Sequence, residues 1–199
     1  MRTEKMPTDI RKEQIVEAAL AILSDNAAPK LKMTDVARQL GLAPSALYRH
    51  FKNRDAMLSA ILEHIRTMLH TNLEKVRQQT DNAVERLHAM LVRHGRLIRE
   101  QQAIPRIVFS DEIWGQKKER RQRMYRIVTG YLAEIEAIVV EGQAKGEIRM
   151  DVEARVVAKI FFGIVQPAAL LWHMSEGDFD LEGHINDAWT LLLEMVVRR

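Results

Sequence analysis

The sequence predicts an all-α protein of about nine helices, and three observations carry that reading. Apolar residues recur at three- and four-residue spacing almost throughout, and no alternating polar and apolar run is long enough for a strand. The breaks fall where Pro, Gly and capping residues stand. With 199 residues, 47% hydrophobic and 29% charged, the chain has enough apolar side chains for a core and lacks the signature of a disordered polymer.

The first helix starts at Thr8 as N-cap and runs to about Asp25, burying Ile15, Ala19, Ile22 and Leu23. The segment Asn26 to Lys32, with Pro29, interrupts it. Two short helices, Thr34 to Leu40 and Ser45 to Phe51, precede a long one from Arg54 to Gln79. Asp81 is placed to cap a helix to Gln101 on which Val84, Leu87, Leu91, His94 and Ile98 share a face. A shorter element spans Ile104 to Trp114, and Lys117 to Ala144 forms a long amphipathic helix ahead of Gly146.

The last two helices differ in kind. Val156 to Trp172 is apolar nearly all the way round, and Asp180 to Arg199 covers more than one face with Ile185, Trp189, Leu192, Leu193 and Val196. Such helices either occupy the centre of the monomer or meet a second copy. Two of them exceed what one small core can cover, which implies an intersubunit bundle with Leu170, His173, Trp189, Leu192, Leu193 and Val196 at the interface.

Charge is divided unevenly. Residues 1–54 carry ten basic and six acidic side chains, a net of +4 within a total of +3, so the remainder is near neutral. A basic end on a neutral body suits a polyanionic partner at that end. The stretch from Ile160 to Ser175 is free of Asp, Glu, Lys and Arg but falls short of the roughly 20 apolar residues of a membrane span, so no membrane partner is expected. The N-terminus has no apolar signal segment and the chain no cysteine, which fits a cytoplasmic protein without disulfides or thiolate metal sites.

The chemistry concentrates in TDVARQLGLAPSALYRHF, from Thr34 to Phe51. Ala37, Gly41 and Leu47 follow at the intervals of a helix-turn-helix, which needs a small residue at the crossing and one tolerant of positive φ in the turn. The second helix then exposes Ala43, Pro44, Ser45, Ala46 and Arg49 toward a DNA major groove. Tyr48, His50, Lys52 and Arg54 place a hydroxyl, an imidazole and two cations where phosphates would run.

MTDVARQLGLAPSA followed by LYRHFKNRDAML resembles the DNA-binding signature of TetR-type transcriptional regulators over residues 10 to 63, and the helical plan is similar over the full length. The resemblance implies a DNA-binding domain over 1–54, an effector-binding and dimerisation domain over 55–199, and a homodimer on near-palindromic double-stranded DNA. It adds Thr34 to the phosphate contacts. It also places an effector pocket inside the larger domain, with Met68, Met90, His94, Phe109, Tyr125, Phe161 and Gln166 as candidate lining for an unidentified small apolar or amphipathic molecule. The chain departs from the family in having Ala43 where a Ser commonly caps the reading helix, and Ser45 in place of Gly or Pro.

The function expected is a repressor released from its operator by a small molecule; the alternative is a DNA-bound adaptor that recruits another protein without such an effector. No catalysis is expected, since no GxxxxGK[ST], GxGxxG or GxSxG motif is present. No metal or other cofactor is expected: HExxH is absent, and His64 with His70, or His88 with His94, lie six residues apart, about 240° around a helix.

Overall fold

The computed structural model describes residues 8–24, 31–110 and 117–197, and among these the chain is helical with no strand. In chain order the helices are α1 (Thr8–Ser24), α2 (Met33–Gln39), α3 (Pro44–His50), α4 (Arg54–Gln79), α5 (Ala83–Glu100), α6 (Ala103–Val108), α7 (Lys118–Ala144), α8 (Ala154–Met174) and α9 (Leu181–Val196). The expected break at Pro29 and the end of the sixth element at Trp114 lie outside the described residues.

Caps explain several boundaries. Asn53 accepts a hydrogen bond from the Ala56 amide (2.9 Å) and starts α4. Asn82, not Asp81, caps α5 by accepting from the Glu85 amide (3.0 Å). Asp81 is instead turned to the Arg86 guanidinium (3.0 Å), so the carboxylate serves an ion pair and its neighbour takes the cap. Asp180 caps α9 through the Gly183 amide (2.9 Å).

Two apolar clusters form. The first joins α1, α2 and α3 to the first turns of α4, with Ile15, Val36, Leu47, Met57 and Ile61 fully enclosed, and takes in Ile107 of α6 and Met124 and Ile127 of α7. The second fills the bundle of α5, α7, α8 and α9 around Leu87, Met90, Leu91, Ile138 and Phe161. Gly95 lets α5 and α9 approach so closely that a Cβ there would run into Ile185.

Helix α8 runs unbroken across Pro167. At 21 residues and a mean hydropathy of 1.6 it is long and apolar enough to cross a membrane, against the sequence expectation, because the only charges in its first turns are Arg155 and Lys159. Here Val157, Phe161, Val165 and Ala168 are instead buried in the second cluster.

Candidate nucleic-acid interface and effector cleft

The turn after α2 is built on Gly41, whose φ of +63° suits a residue without a Cβ. The Leu42 amide donates to the Ala37 carbonyl (2.8 Å) and the Gly41 amide to the Arg38 carbonyl (3.1 Å). This is the Schellman pattern that ends a helix and redirects the chain. It delivers Ala43 in extended conformation (φ −64°, ψ 140°) with no side-chain cap, and Pro44 opens α3 as its first residue.

Helix α3 buries Leu47 and turns Pro44, Ser45, Tyr48 and Arg49 to solvent, with Ala46 and His50 half-buried. Thr34, Ala43 and Lys52 are exposed beside it. The base-reading and phosphate candidates thus share one surface, with one difference. Arg54 is half-buried and its Nε donates to the Leu31 carbonyl (2.8 Å), bracing the chain before α2 against the start of α4. Asn53 and Asp55, both unmarked by the sequence reading, organise the same corner. Asp55 pairs with Lys117 and with Arg120 (3.1 Å), and the Lys117 hydrogen bond foremost holds its carboxyl below the usual carboxylate range.

The effector candidates do not converge. Met90 and Phe161 are fully enclosed, and His94 is buried against the Tyr131 hydroxyl at 3.0 Å. Met68 and Gln166 are half-buried. Tyr125, 70% exposed, and Phe109, also exposed, face solvent and cannot line an interior cavity. The correction at Tyr125 has a simple origin, because it is one residue, hence about 100°, off the face that carries Met124 and Tyr131.

The structure instead opens a cleft of about 140 Å³ between α4 and α7. Leu69, Leu73, Ile127 and Tyr131 form its apolar wall, and the exposed Arg66, His70 and Arg126 line it together with the half-buried Glu134, Arg66 being paired with Glu63 (2.5 Å). The polar residues gave no sequence signal, since each reads as part of a solvated helix face.

The interface candidates also divide. Leu192 (2% exposed) and Val196 are monomer core and are withdrawn from the interface: both lie on the side of α9 facing the second cluster. Trp189 stacks on His88 at 4.7 Å, while Leu193 and His173 are half-buried. Leu170 is exposed, as are Val156, Ile160, Leu171 and Met174 along the same helix α8 and Leu191 on α9, so these apolar side chains are left uncovered by one chain. Among the described residues no three His, Asp or Glu side chains gather to hold a metal ion.

A helix-turn-helix carried on a helical bundle is the architecture of a DNA-binding transcriptional regulator. Residues 15–61 match the profile described as bacterial regulatory proteins, tetR family, and residues 61–195 that of YsiA-like protein, C-terminal region. The chain belongs to the tetR family of bacterial regulatory proteins. The fatty acid metabolism regulator protein of Bacillus subtilis (strain 168) is 26% identical over 180 residues, covering 90% of this chain and 92% of that one. The nucleoid occlusion factor SlmA of Idiomarina loihiensis is 25% identical over 150 residues, covering 75% of this chain and 76% of that one. Among solved structures, FadR from Bacillus subtilis in complex with stearoyl-CoA superposes with a TM-score of 0.78 at 25% identity, covering 92% of this chain and 98% of that chain. As a member of that family the chain is a DNA-binding transcriptional regulator.

Proposed function

We propose that the protein is a repressor released from its operator by a long-chain acyl-CoA, and that the α4–α7 cleft is where the acyl chain enters. The observation that carries this reading is the pairing of an apolar wall with cations at one mouth: Leu69, Leu73 and Ile127 suit an alkyl chain, and Arg66 and Arg126 suit phosphate oxygens. The similarity to a regulator solved with stearoyl-CoA supports the same ligand class. Residues 1–54 are the reading domain and 55–199 the effector and dimerisation domain in this proposal. Ala43, Pro44, Ser45, Ala46 and Arg49 face bases, and Thr34, Tyr48, His50 and Lys52 meet phosphates. The enzyme classes and any location beyond that of a DNA-bound regulator play no part in it.

The adaptor reading draws support from the similarity to nucleoid occlusion factors. One titration separates the two. Operator fragments selected from random DNA are bound by the protein and challenged with stearoyl-CoA, free CoA and stearate. Release by stearoyl-CoA at concentrations where free CoA is inert is the expected result. Release by none of the three overturns the acyl-CoA assignment and leaves the adaptor.

A further inference from the structure

Helices α4 and α7 run parallel, since their contacts advance together along both chains: Asp55 meets Lys117 and Arg120, the Ser59 carbonyl accepts from Arg123 (3.2 Å), and Arg77 pairs with Glu134 (3.0 Å). The cleft lies between these fastenings. Its α4 wall, Arg66 to Leu73, stands about 16–27 Å above Asp55 at 1.5 Å per residue.

The two ends are fastened differently. At the top, the turn between α4 and α5 is sewn to the end of α7 and the turn after it. The buried Arg86 donates to Glu141 (2.7 Å), the Thr80 carbonyl (2.7 Å) and Asp81 (3.0 Å). Lys145 donates to the Asp81 carbonyl (2.6 Å), and the Ala83 amide to Glu147 (2.6 Å). At the bottom, Met124 and Ile127 pack without directional preference, Arg123 donates to the Ser59 carbonyl, and one partly exposed carboxylate, Asp55, receives Lys117 just ahead of α7 and Arg120 within it. The charged stretch that opens α7 is therefore more than a solvated surface.

A cleft of about 140 Å³ is below the roughly 300–1,000 Å³ of a pocket for a drug-sized ligand, so an occupant has to spread α4 from α7. With the top sewn shut, spreading is taken up at the bottom, where α4 leaves the reading domain. We propose that Asp55 is a positioning residue for operator binding: its pairs with Lys117 and Arg120 hold α4 and α7 in the DNA-competent register, and a ligand in the cleft releases the operator by opening them. This rests on the effector reading for its trigger, but the catch itself is testable without ligand.

The test uses full-length protein and the selected operator. Asp55 stands three residues from Lys52, so by charge alone Asp55→Asn should tighten binding to polyanionic DNA. The catch demands the opposite sign: about fivefold weaker binding, the upper range for an exposed ion pair, with an unchanged melting midpoint. Lys117→Gln should also weaken binding, and the double variant should be weaker than wild type by less than the two single effects combined. Stearoyl-CoA should release Asp55→Asn at lower concentration than wild type. Equal or tighter binding by Asp55→Asn, or full additivity in the cycle, overturns the catch. Failure of stearoyl-CoA to release wild type overturns the effector reading instead, and the ligand-free arms still decide the catch.

Discussion

The Nδ1 atom of His94 lies 3.0 Å from the hydroxyl of Tyr131, and both side chains are buried in the bundle, Tyr131 also walling the α4–α7 cleft. Burial pushes the imidazole down to about 4 and the phenol up, so both are neutral near pH 7. Between pH 6.5 and 4 the unfolded chain binds a proton at this position that the folded chain refuses. Folding stability is thus fully present above 6.5 and falls as the pH drops toward 4, by up to about 3 kcal/mol for this one group. His94→Phe removes that slope while orphaning the Tyr131 hydroxyl at a cost of about 1–3 kcal/mol. Urea titrations of both proteins should show the variant weaker at pH 7 and the difference shrinking at pH 4.5. A difference constant with pH would mean that the buried imidazole does not govern acid stability.

Gly41 tests the corner by itself. A Cβ there would touch nothing within 4 Å, so the penalty of Gly41→Val is conformational: φ of +63° costs an L-residue about 1–2 kcal/mol. The melting midpoint should fall by a few degrees. Operator affinity should fall further, because relaxing the turn toward negative φ rotates α3 against α2. Undiminished affinity with a lowered midpoint would separate the turn from the reading surface.

The helix-turn-helix was legible in sequence because its demands are local. Ala37, Gly41 and Leu47 each answer a backbone or packing requirement within one turn of its neighbours, and the structure has the same crossing. The cleft was not, because its wall joins Leu69 and Leu73 to Ile127 and Tyr131 from a helix more than fifty residues away. Periodicity says which face is apolar but not which faces remain a few ångströms apart. The same limit explains Leu192 and Val196: α9 is apolar on more than one face, and only its docking against α5 and α8 tells which of these is used internally.

The uncovered apolar surface yields a paired prediction. Leu171 and Leu192 are both leucines on the C-terminal helices, one exposed and the other in the core. Leu171→Glu should leave the thermal midpoint of the monomer nearly intact while shifting sedimentation from dimer to monomer, since a carboxylate is costly only where a partner would bury it. Leu192→Glu should unfold the chain outright. Operator binding should drop steeply in the first variant, because two half-sites held by one dimer act at high effective concentration. A dimer that survives Leu171→Glu would place the partner on another face.

Lys52 and Arg54 stand two residues apart and are expected to fail in different ways. Lys52 is exposed at the end of the reading surface, so Lys52→Ala should weaken binding to all DNA sequences alike. It should also flatten the dependence of log K on log salt by about 0.9 per subunit, or about 1.8 for the dimer. Arg54 spends its Nε on the Leu31 carbonyl, so Arg54→Ala removes a brace of the reading domain and should lower its melting midpoint, with a smaller change in salt slope. Binding isotherms at four salt concentrations, read beside thermal melts, distinguish the two roles. Equal slopes for wild type and Lys52→Ala would remove Lys52 from the phosphate contacts, whereas a slope lost at Arg54 with an unchanged midpoint would return Arg54 to them.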